Sequence, residues 1–310
     1  MWQRRNASVA CLRKGEKSGG LKQMRGTGRL DLGGGGRYRL KEVASDEWLA
    51  ERMATKVQIV SKKAEAGPAT KMEQGEFPPP ARTDGRAELL LKYYEAMAER
   101  LGPMKWWPAR TAFEVVVGAI LTQNTAWGNV ERAIVNLRHE RLLTPGGIAR
   151  VQQAKLARLV RPSGYFRQKA KKLKAFMRFL REEYGGSLAS TFRTPTEELR
   201  EKLLRVHGIG PETADSILLY AGGHAVFVVD AYTKRILERH ELADGKASYE
   251  DVRALFEKNL PRDVKLWNEY HALIVNVGKN WCRKKAPKCG ECPLGVFLSD
   301  AQRQALEAGR

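Results

Sequence analysis

The segment 203–239 constrains the fold more than any other part of the chain, because two helical patterns meet there across a very short glycine turn. Its centre reads Gly208-Ile209-Gly210-Pro211. Glycine adopts the backbone angles that a tight turn demands, and proline is favoured at the first position of a helix. The pattern therefore predicts helix, turn and helix. The unpaired N–H groups at the start of the second helix are suited to binding phosphate oxygens.

The remainder of the chain from residue 85 onward also has a helical pattern. Apolar residues recur at helical spacing, and polar breaks of a few residues separate the segments. The nearly continuous apolar run 113–121 predicts a central buried helix, in which Gly118 permits a close neighbour. The strand-like run 225–229 is too short to found a sheet. We therefore predict an all-α fold.

Two acidic residues follow the glycine turn. Glu212 comes two residues after its last glycine, and Asp230 stands where a further helix begins. An aspartate before a helix is most often an N-cap. A carboxylate at a set distance from a phosphate-binding turn also suggests chemistry on a sugar of a nucleic-acid backbone.

The charge of the chain favours a polyanionic partner. The 310 residues include 55 Lys and Arg against 35 Asp and Glu, a net charge of +20. No apolar run reaches the roughly 18 residues of a membrane span. The N-terminus has no apolar signal core, so we expect a cytoplasmic, nucleoid-associated protein. Residues 1–84 are basic and glycine-rich, which predicts either a disordered arm or a start assigned too far upstream.

Together these motifs resemble the helix-hairpin-helix DNA glycosylases typified by endonuclease III, over roughly residues 85–298. The resemblance rests on Val206-His207-Gly208-Ile209-Gly210, Thr213-Ala214-Asp215, Val229-Asp230 and Arg235. It implies two helical domains with a cleft for DNA and a flipped base between them. The expected parts are a six-helix barrel at 111–222 with its helix-hairpin-helix at 197–221, a second domain from 85–110 plus 223–298, and a tail at 299–310.

The resemblance also assigns catalytic roles. It places the essential aspartate of the family at Asp230, whose charge would stabilise the sugar cation or activate water. Strand-cleaving members carry a lysine at the position of Glu212, and that amine forms a Schiff base with the sugar. A glutamate forms no imine, so we predict a monofunctional enzyme that leaves an abasic site. Lys279 is assigned to the base pocket, where it would be the alternative amine if it lies in the cleft.

Further residues are candidates for DNA and base contacts. Gln123 and Trp127 are predicted at the beginning of one helix, facing the same side. The resemblance implies that Gln123 fills the gap left by the flipped base. The alternative interpretation is a capping role for Gln123 and a core position for Trp127. Phosphate contacts are expected from the turn residues Gly208, Ile209 and Gly210.

Trp106 and Trp107 stand next to each other in a polar connection. Together with Trp127 they are predicted to form a stacking wall for the extruded base; the alternative is simple packing. Electron-rich rings hold a cationic base best, and an N-alkylated purine is such a base. The pattern WWPARTAFEVVVGAILTQNTAW, with Glu212 at the lysine position, resembles the 3-methyladenine glycosylase branch of the superfamily.

Three cysteines, Cys282, Cys289 and Cys292, match three positions of the frame that holds a 4Fe–4S cluster in the superfamily. The fourth position is Leu298. Three interpretations stay open: a labile cluster on three thiolates, a zinc ion with three cysteines and a water, and a loop without metal.

The sequence thus predicts a monomeric, monofunctional glycosylase that acts on damaged bases, alkylated purines above all, in double-stranded DNA. Two alternatives remain. One is an endonuclease III-like glycosylase and abasic-site lyase for oxidised or mismatched bases. The other is a helix-hairpin-helix DNA-binding protein without catalysis, which the carboxylate at Asp230 disfavours.

Overall fold

The computed structural model describes residues 85–309; the predicted arm at 1–84 lies outside the described residues. Within 85–309 the regular structure is helical and no β-strand forms, so the all-α prediction is confirmed. The helices are α1 (Arg86–Leu101), α2 (Ala112–Leu121), α3 (Trp127–His139), α4 (Pro145–Arg150), α5 (Gln153–Leu159), α6 (Phe166–Tyr184), α7 (Leu188–Thr191), α8 (Thr196–Leu204), α9 (Pro211–Ser216), α10 (Ala231–Arg239), α11 (Tyr249–Asn259), α12 (Val264–Asn280) and α13 (Asp300–Glu307). A π-helical segment, Ile217–Gly222, continues α9 directly. No helix in this part of the chain is long and apolar enough to span a membrane.

Helix α2 is the buried centre of the first group of helices, as its apolar run predicts. Every residue from Phe113 to Leu121 is buried. The one charged member, Glu114, accepts a hydrogen bond from Arg138 Nη2 at 2.7 Å. Gly118 admits the Trp107 indole, since a Cβ there would lie only 3.2 Å from Nε1 of that ring. The predicted close approach at Gly118 is therefore confirmed.

A buried lysine on α6 closes the C-terminal end of α2. Lys169 Nζ donates to the carbonyl of Leu121 at 2.9 Å and to that of Ser163 at 2.6 Å. These bonds satisfy a helix-end carbonyl that has no partner within the helix. Burial, with a smaller contribution from the Lys172 charge, lowers the pKa of Lys169 to about 8.

The helices pack in two groups around one apolar core. Helices α3, α6 and α9 pack on α2, whereas α1 packs on α11 and α12, and α10 packs on α12. In the second group the Phe227 and Phe256 rings stack at 3.9 Å, and the Tyr270 hydroxyl donates to the Leu90 carbonyl at 2.7 Å. The grouping follows the expected two domains, whose residue boundaries stay a prediction.

A buried ionic network ties the hairpin to the second group. Arg200 on α8 donates to both carboxylate oxygens of Asp215 on α9, at 2.7 and 3.1 Å. The Tyr249 hydroxyl donates to Asp215 at 2.8 Å, and Arg200 also reaches Glu250 at 2.7 Å. Because Tyr249 and Glu250 lie on α11, the network sets the hairpin against the helices that follow Asp230.

No helix is predicted for the segments 225–229 and 299–310; the first has none, whereas the second contains one. The run 225–229 forms neither a helix nor a strand, and Phe227 N donates to Glu257 Oε1 at 2.9 Å. The predicted tail at 299–310 contains α13, which begins with a capping box between Ser299 and Gln302. Such a box satisfies two helix-end donors, and this explains why a short terminal segment is helical.

Candidate active site

The hairpin turn has the geometry that its glycines predict. Gly208 adopts φ +82°, and a Cβ there would collide with the side chain of Lys172 on α6. Ile209 is buried and anchors the turn in the core, while Gly210 is exposed and is the N-cap of α9. Pro211 occupies the first turn of α9 as predicted. Phosphate binding at this exposed helix end stays a prediction.

Gln123 lies in the turn between α2 and α3, so its predicted position at the beginning of a helix beside Trp127 is wrong. Its Nε2 donates to the Gly208 carbonyl at 3.0 Å and to Thr213 Oγ1 at 2.9 Å, and its Oε1 accepts a hydrogen bond from Lys172. Gln123 therefore braces the hairpin. Its role in DNA, like those of Gly208, Ile209 and Gly210, stays a prediction. Lys172, which contacts both Gln123 and the turn, was not predicted, because no sequence motif marks it.

Asp230 is the N-cap of α10, and its two carboxylate oxygens have different surroundings. Oδ1 accepts hydrogen bonds from Thr233 N at 2.7 Å and from Thr233 Oγ1 at 2.9 Å. Oδ2 lies 3.8 Å from Nε2 of His271 on α12. The side chain is 12% exposed. One oxygen thus holds the helix end, and the other is available for chemistry.

Glu212 lies close to Asp230, on the first turn of α9. Its side chain keeps access to solvent, yet surrounding protein displaces much of its water. This desolvation, together with the charge of Asp230, raises the pKa of Glu212 to about 7. A carboxyl group whose pKa is raised by burial beside a second carboxyl group is a recurrent arrangement in acid–base catalysis.

Aromatic rings lie beside these two carboxyl groups. The Trp107 ring centroid is 5.1 Å from that of Trp127 and 5.2 Å from that of Tyr220, and the Trp106 ring is 6.5 Å from Tyr220. Tyr220 connects this cluster to the carboxyl groups, because the charges of Asp230 and Glu212 both act on its phenol. The structure therefore brings together Trp106, Trp107 and Trp127, the three tryptophans predicted for the base pocket. Hereafter the aromatic wall means these three residues and Tyr220.

Tyr220 and His271 belong to the site but are missing from the sequence predictions. Tyr220 lies in the π-helical segment and His271 in the middle of α12. Neither belongs to a recognisable motif. Only the packing of α12 against the π-helical segment brings the two residues together.

Comparison with known proteins establishes the family. MJ1434 of Methanocaldococcus jannaschii, which carries the name of a DNA repair glycosylase, is 49% identical over 216 residues; these are 69% of this chain and 97% of that protein. The family model described as HhH-GPD superfamily base excision DNA repair protein matches residues 117–262. The chain belongs to the HhH-GPD superfamily. The resemblance deduced from the hairpin motifs is thereby confirmed.

Other relatives of this HhH-GPD protein agree. Endonuclease III of Thermotoga maritima is 31% identical over 182 residues, which cover 59% of this chain and 80% of that protein. The structure of H. pylori 3-methyladenine DNA glycosylase (MagIII) bound to 1,N6-ethenoadenine is similar at a TM-score of 0.55 and 30% identity, covering 63% of this chain and 97% of that one. A trapped endonuclease III–DNA covalent intermediate, at TM-score 0.61 and 21% identity, covers 71% and 98% and shows the shared fold.

Lys279 is exposed on the last turn of α12. It stands just over two helical turns beyond His271, which corresponds to about 12 Å along the helix axis. Among the described residues, no hydrogen bond or ion pair joins Lys279 to Asp230 or Glu212. A place for Lys279 in the base pocket of this HhH-GPD protein stays a prediction.

The cysteine loop does not fit a four-ligand cluster. Cys282, Cys289 and Cys292 line one small cavity, of about 10 Å³, together with Leu298 at the expected fourth position. Such a space holds about one water molecule. Burial raises the pKa of the Cys292 thiol to about 11. Within residues 85–309, no group of three or more His, Cys, Asp or Glu side chains has a metal-binding arrangement.

Proposed function

We propose that this HhH-GPD protein is a monofunctional DNA glycosylase. It hydrolyses the N-glycosidic bond of N-alkylated purines, of the 3-methyladenine kind, after the nucleotide has been flipped out of duplex DNA. The observation that carries the proposal is the pair of Asp230 and Glu212 beside the aromatic wall. The hairpin and the net charge of +20 support double-stranded DNA as the partner, and we propose that the protein acts on it as a monomer.

The proposed reaction begins with loss of the base. The electron pair of the glycosidic bond passes to the purine, and a cationic alkylated purine leaves as a neutral molecule. A positive charge then develops on the sugar, and the Asp230 carboxylate stabilises it. Water adds to the sugar carbon, and the ionised Glu212 carboxylate accepts the proton that this water releases. The products are free base and an abasic site.

The aromatic wall supports the choice of a cationic base. Indole and phenol rings attract a positive charge through their π-faces, most strongly where water is displaced. Both Trp106 and Trp107 are half-buried, and their packing against Tyr220 places this apolar surface next to two acidic groups. Rings and carboxylates of this kind favour a cationic purine over a neutral pyrimidine. The 30% identity to a 3-methyladenine glycosylase points the same way.

A second candidate is a glycosylase that also cleaves the strand, acting on oxidised or mismatched bases. Its support is the 31% identity to endonuclease III of T. maritima. That activity needs an amine that attacks the sugar, and the corresponding position here is Glu212. The monofunctional reaction therefore takes precedence.

The experiment is base release from a panel of duplexes, each with a single lesion, by the full-length protein. The panel contains N-alkylated purines, oxidised pyrimidines and mismatched thymine or uracil, and mass spectrometry identifies the free base. We expect release of alkylated purines with an intact abasic strand. Release restricted to pyrimidines would contradict the substrate class, and DNA binding without release of any base would favour the non-catalytic alternative.

A further inference from the structure

His271 is a buried polar residue that the proposed reaction does not use. Its side chain is almost fully enclosed, at 4% exposure of the residue, between α12 and the start of α10. One ring nitrogen, Nδ1, shares a short hydrogen bond with the Tyr220 hydroxyl. The other nitrogen, Nε2, is buried without a hydrogen-bond partner and lies 3.8 Å from Asp230 Oδ2. An orphaned buried nitrogen aimed at a reacting carboxylate calls for an explanation.

The groups on the two sides of the His271 ring favour one of its two tautomers. Burial above all, and then the charge of Asp230, raises the pKa of Tyr220 well above 10, so the phenol keeps its proton at neutral pH. A protonated phenol can donate to Nδ1 or accept from it, so the other side of the ring decides the tautomer: a proton on Nε2 presents an N–H to the Asp230 carboxylate, whereas a lone pair there would face its negative charge. Burial lowers the pKa of His271 against the opposing effect of the Asp230 charge, so the ring is neutral and its single N–H is favoured on Nε2. Nδ1 then accepts from the Tyr220 hydroxyl.

The arrangement directs an N–H group toward the free oxygen of Asp230. Oδ1 is already engaged by Thr233, whereas Oδ2 faces Nε2 across 3.8 Å. This separation exceeds a hydrogen bond, but catalytic hydrogen bonds are often long before substrate binds and shorten in the reacting complex.

We propose that His271, held in its Nε2–H tautomer by Tyr220, is a positioning residue for Asp230. It donates to Oδ2 in the DNA complex, which fixes the carboxylate against the sugar. The inference rests on the proposed function, in that Asp230 is the group that stabilises the sugar cation. Tyr220 orients His271, and His271 in turn orients Asp230. The effects of Tyr220 and His271 on the reaction are therefore coupled.

The kinetic test uses single-turnover base release with full-length variants. His271→Leu removes the donor, whereas His271→Gln carries an amide N–H close to the Nε2 position. We expect His271→Leu to slow release by about tenfold or more at unchanged DNA affinity, and His271→Gln to recover most of the rate. Tyr220→Phe should slow release by less, and combining it with His271→Leu should add nothing further, because coupled residues are not additive. Tyr94→Phe is the matched control.

Two kinetic outcomes overturn the proposal. One is a folded His271→Leu protein, by its melting temperature, that releases base at the wild-type rate. The other is a double variant whose loss equals the sum of the two single losses in free energy. If His271 has only a structural role, His271→Gln should release base no faster than an equally folded His271→Leu, and that result would also contradict the proposal.

A measurement independent of turnover separates this proposal from the proposed function. In 15N NMR spectra of the histidine side chains, His271 should be protonated on Nε2 and accept at Nδ1. Tyr220→Phe should change this tautomer ratio, and Tyr94→Phe should not. An Nδ1-protonated ring overturns the inference even if the enzyme is active. If the wild-type protein releases no base from the panel, the proposed function fails, while the NMR result still decides the tautomer.

Discussion

Asp230 accepts two hydrogen bonds from Thr233 with a single oxygen, from the backbone N–H at 2.7 Å and from the hydroxyl at 2.9 Å. The capping function therefore needs Oδ1 alone. Asparagine caps helices about as well as aspartate, and its amide oxygen can take the place of Oδ1. The structural and catalytic roles of this residue are thus separable by one substitution.

We expect Asp230→Asn to release base at least about 100-fold more slowly in single turnover, because the charge that stabilises the sugar cation is gone. Its melting temperature should stay within a few degrees of the wild-type value. Asp263→Asn is a matched control, because Asp263 caps α12 in the same way, by accepting from Leu266 N at 2.8 Å. Unchanged release by Asp230→Asn would refute the catalytic assignment.

The rate should also depend on pH through Glu212. The pKa of this carboxyl is raised to about 7, so its charged form is lost as the pH falls below that value. Loss of the base is reversible until water captures the sugar cation, and the ionised Glu212 accepts the proton of that water. Net release of a permanently cationic purine should therefore fall on going from pH 8 to pH 6. Glu212→Gln should be slower and flat over this range, whereas exposed Glu201→Gln keeps the wild-type profile. A rate that rises as the pH falls would instead make Glu212 an acid.

No covalent adduct should form with abasic DNA in the presence of borohydride, because position 212 has no amine. The matched gain-of-function variant is Glu212→Lys, which restores the amine at the position used by strand-cleaving relatives. We expect a trapped band on a denaturing gel for Glu212→Lys only. A wild-type band that disappears in Lys279→Ala would disprove the monofunctional mechanism and identify Lys279 as the nucleophile.

The buried pair of Arg200 and Asp215 should dominate the stability of the hairpin. Asp215 is fully buried, and Asp215→Asn leaves the guanidinium short of a countercharge, at a cost of roughly 3 kcal/mol in the free energy of unfolding. Urea denaturation measures this loss. The control is Glu140→Gln in the exposed pair with Lys155, where solvent screening should make the loss much smaller. Equal losses in the free energy of unfolding for Asp215→Asn and Glu140→Gln would contradict the prediction that the buried pair contributes more to stability than the exposed pair.

Iron and sulfide analysis of anaerobically purified protein tests the cysteine loop. Leu298 supplies no thiolate, so we expect iron well below one cluster per chain in the wild-type protein, and Leu298→Cys should raise it. Val296→Cys is the control, because this exposed position adds a thiol outside the cavity. An air-stable, full-occupancy cluster in the wild-type protein would show that another residue provides the fourth ligand.

The sequence by itself determines the local architecture of this protein. The glycine turn, the proline at the start of α9, the apolar run of α2 and the cap at Asp230 all depend on residues within a few positions of each other. Helix formation, capping and turn geometry depend on such short-range interactions, so they can be predicted from neighbouring residues in the sequence. The family likewise follows from the spacing of these motifs.

The tertiary structure alone decides how the site works. Gln123 bonds to the Gly208 carbonyl and so braces the hairpin, and the rise in the pKa of Glu212 comes from packing and from Asp230. His271 meets Tyr220 and Asp230 only because α12 packs against the π-helical segment and the start of α10. Contacts between residues far apart in the chain produce no repeating pattern in the amino-acid sequence, so their distances, burial and charges cannot be predicted from it. The chemistry of these carboxyl groups therefore becomes visible only once the helices are packed.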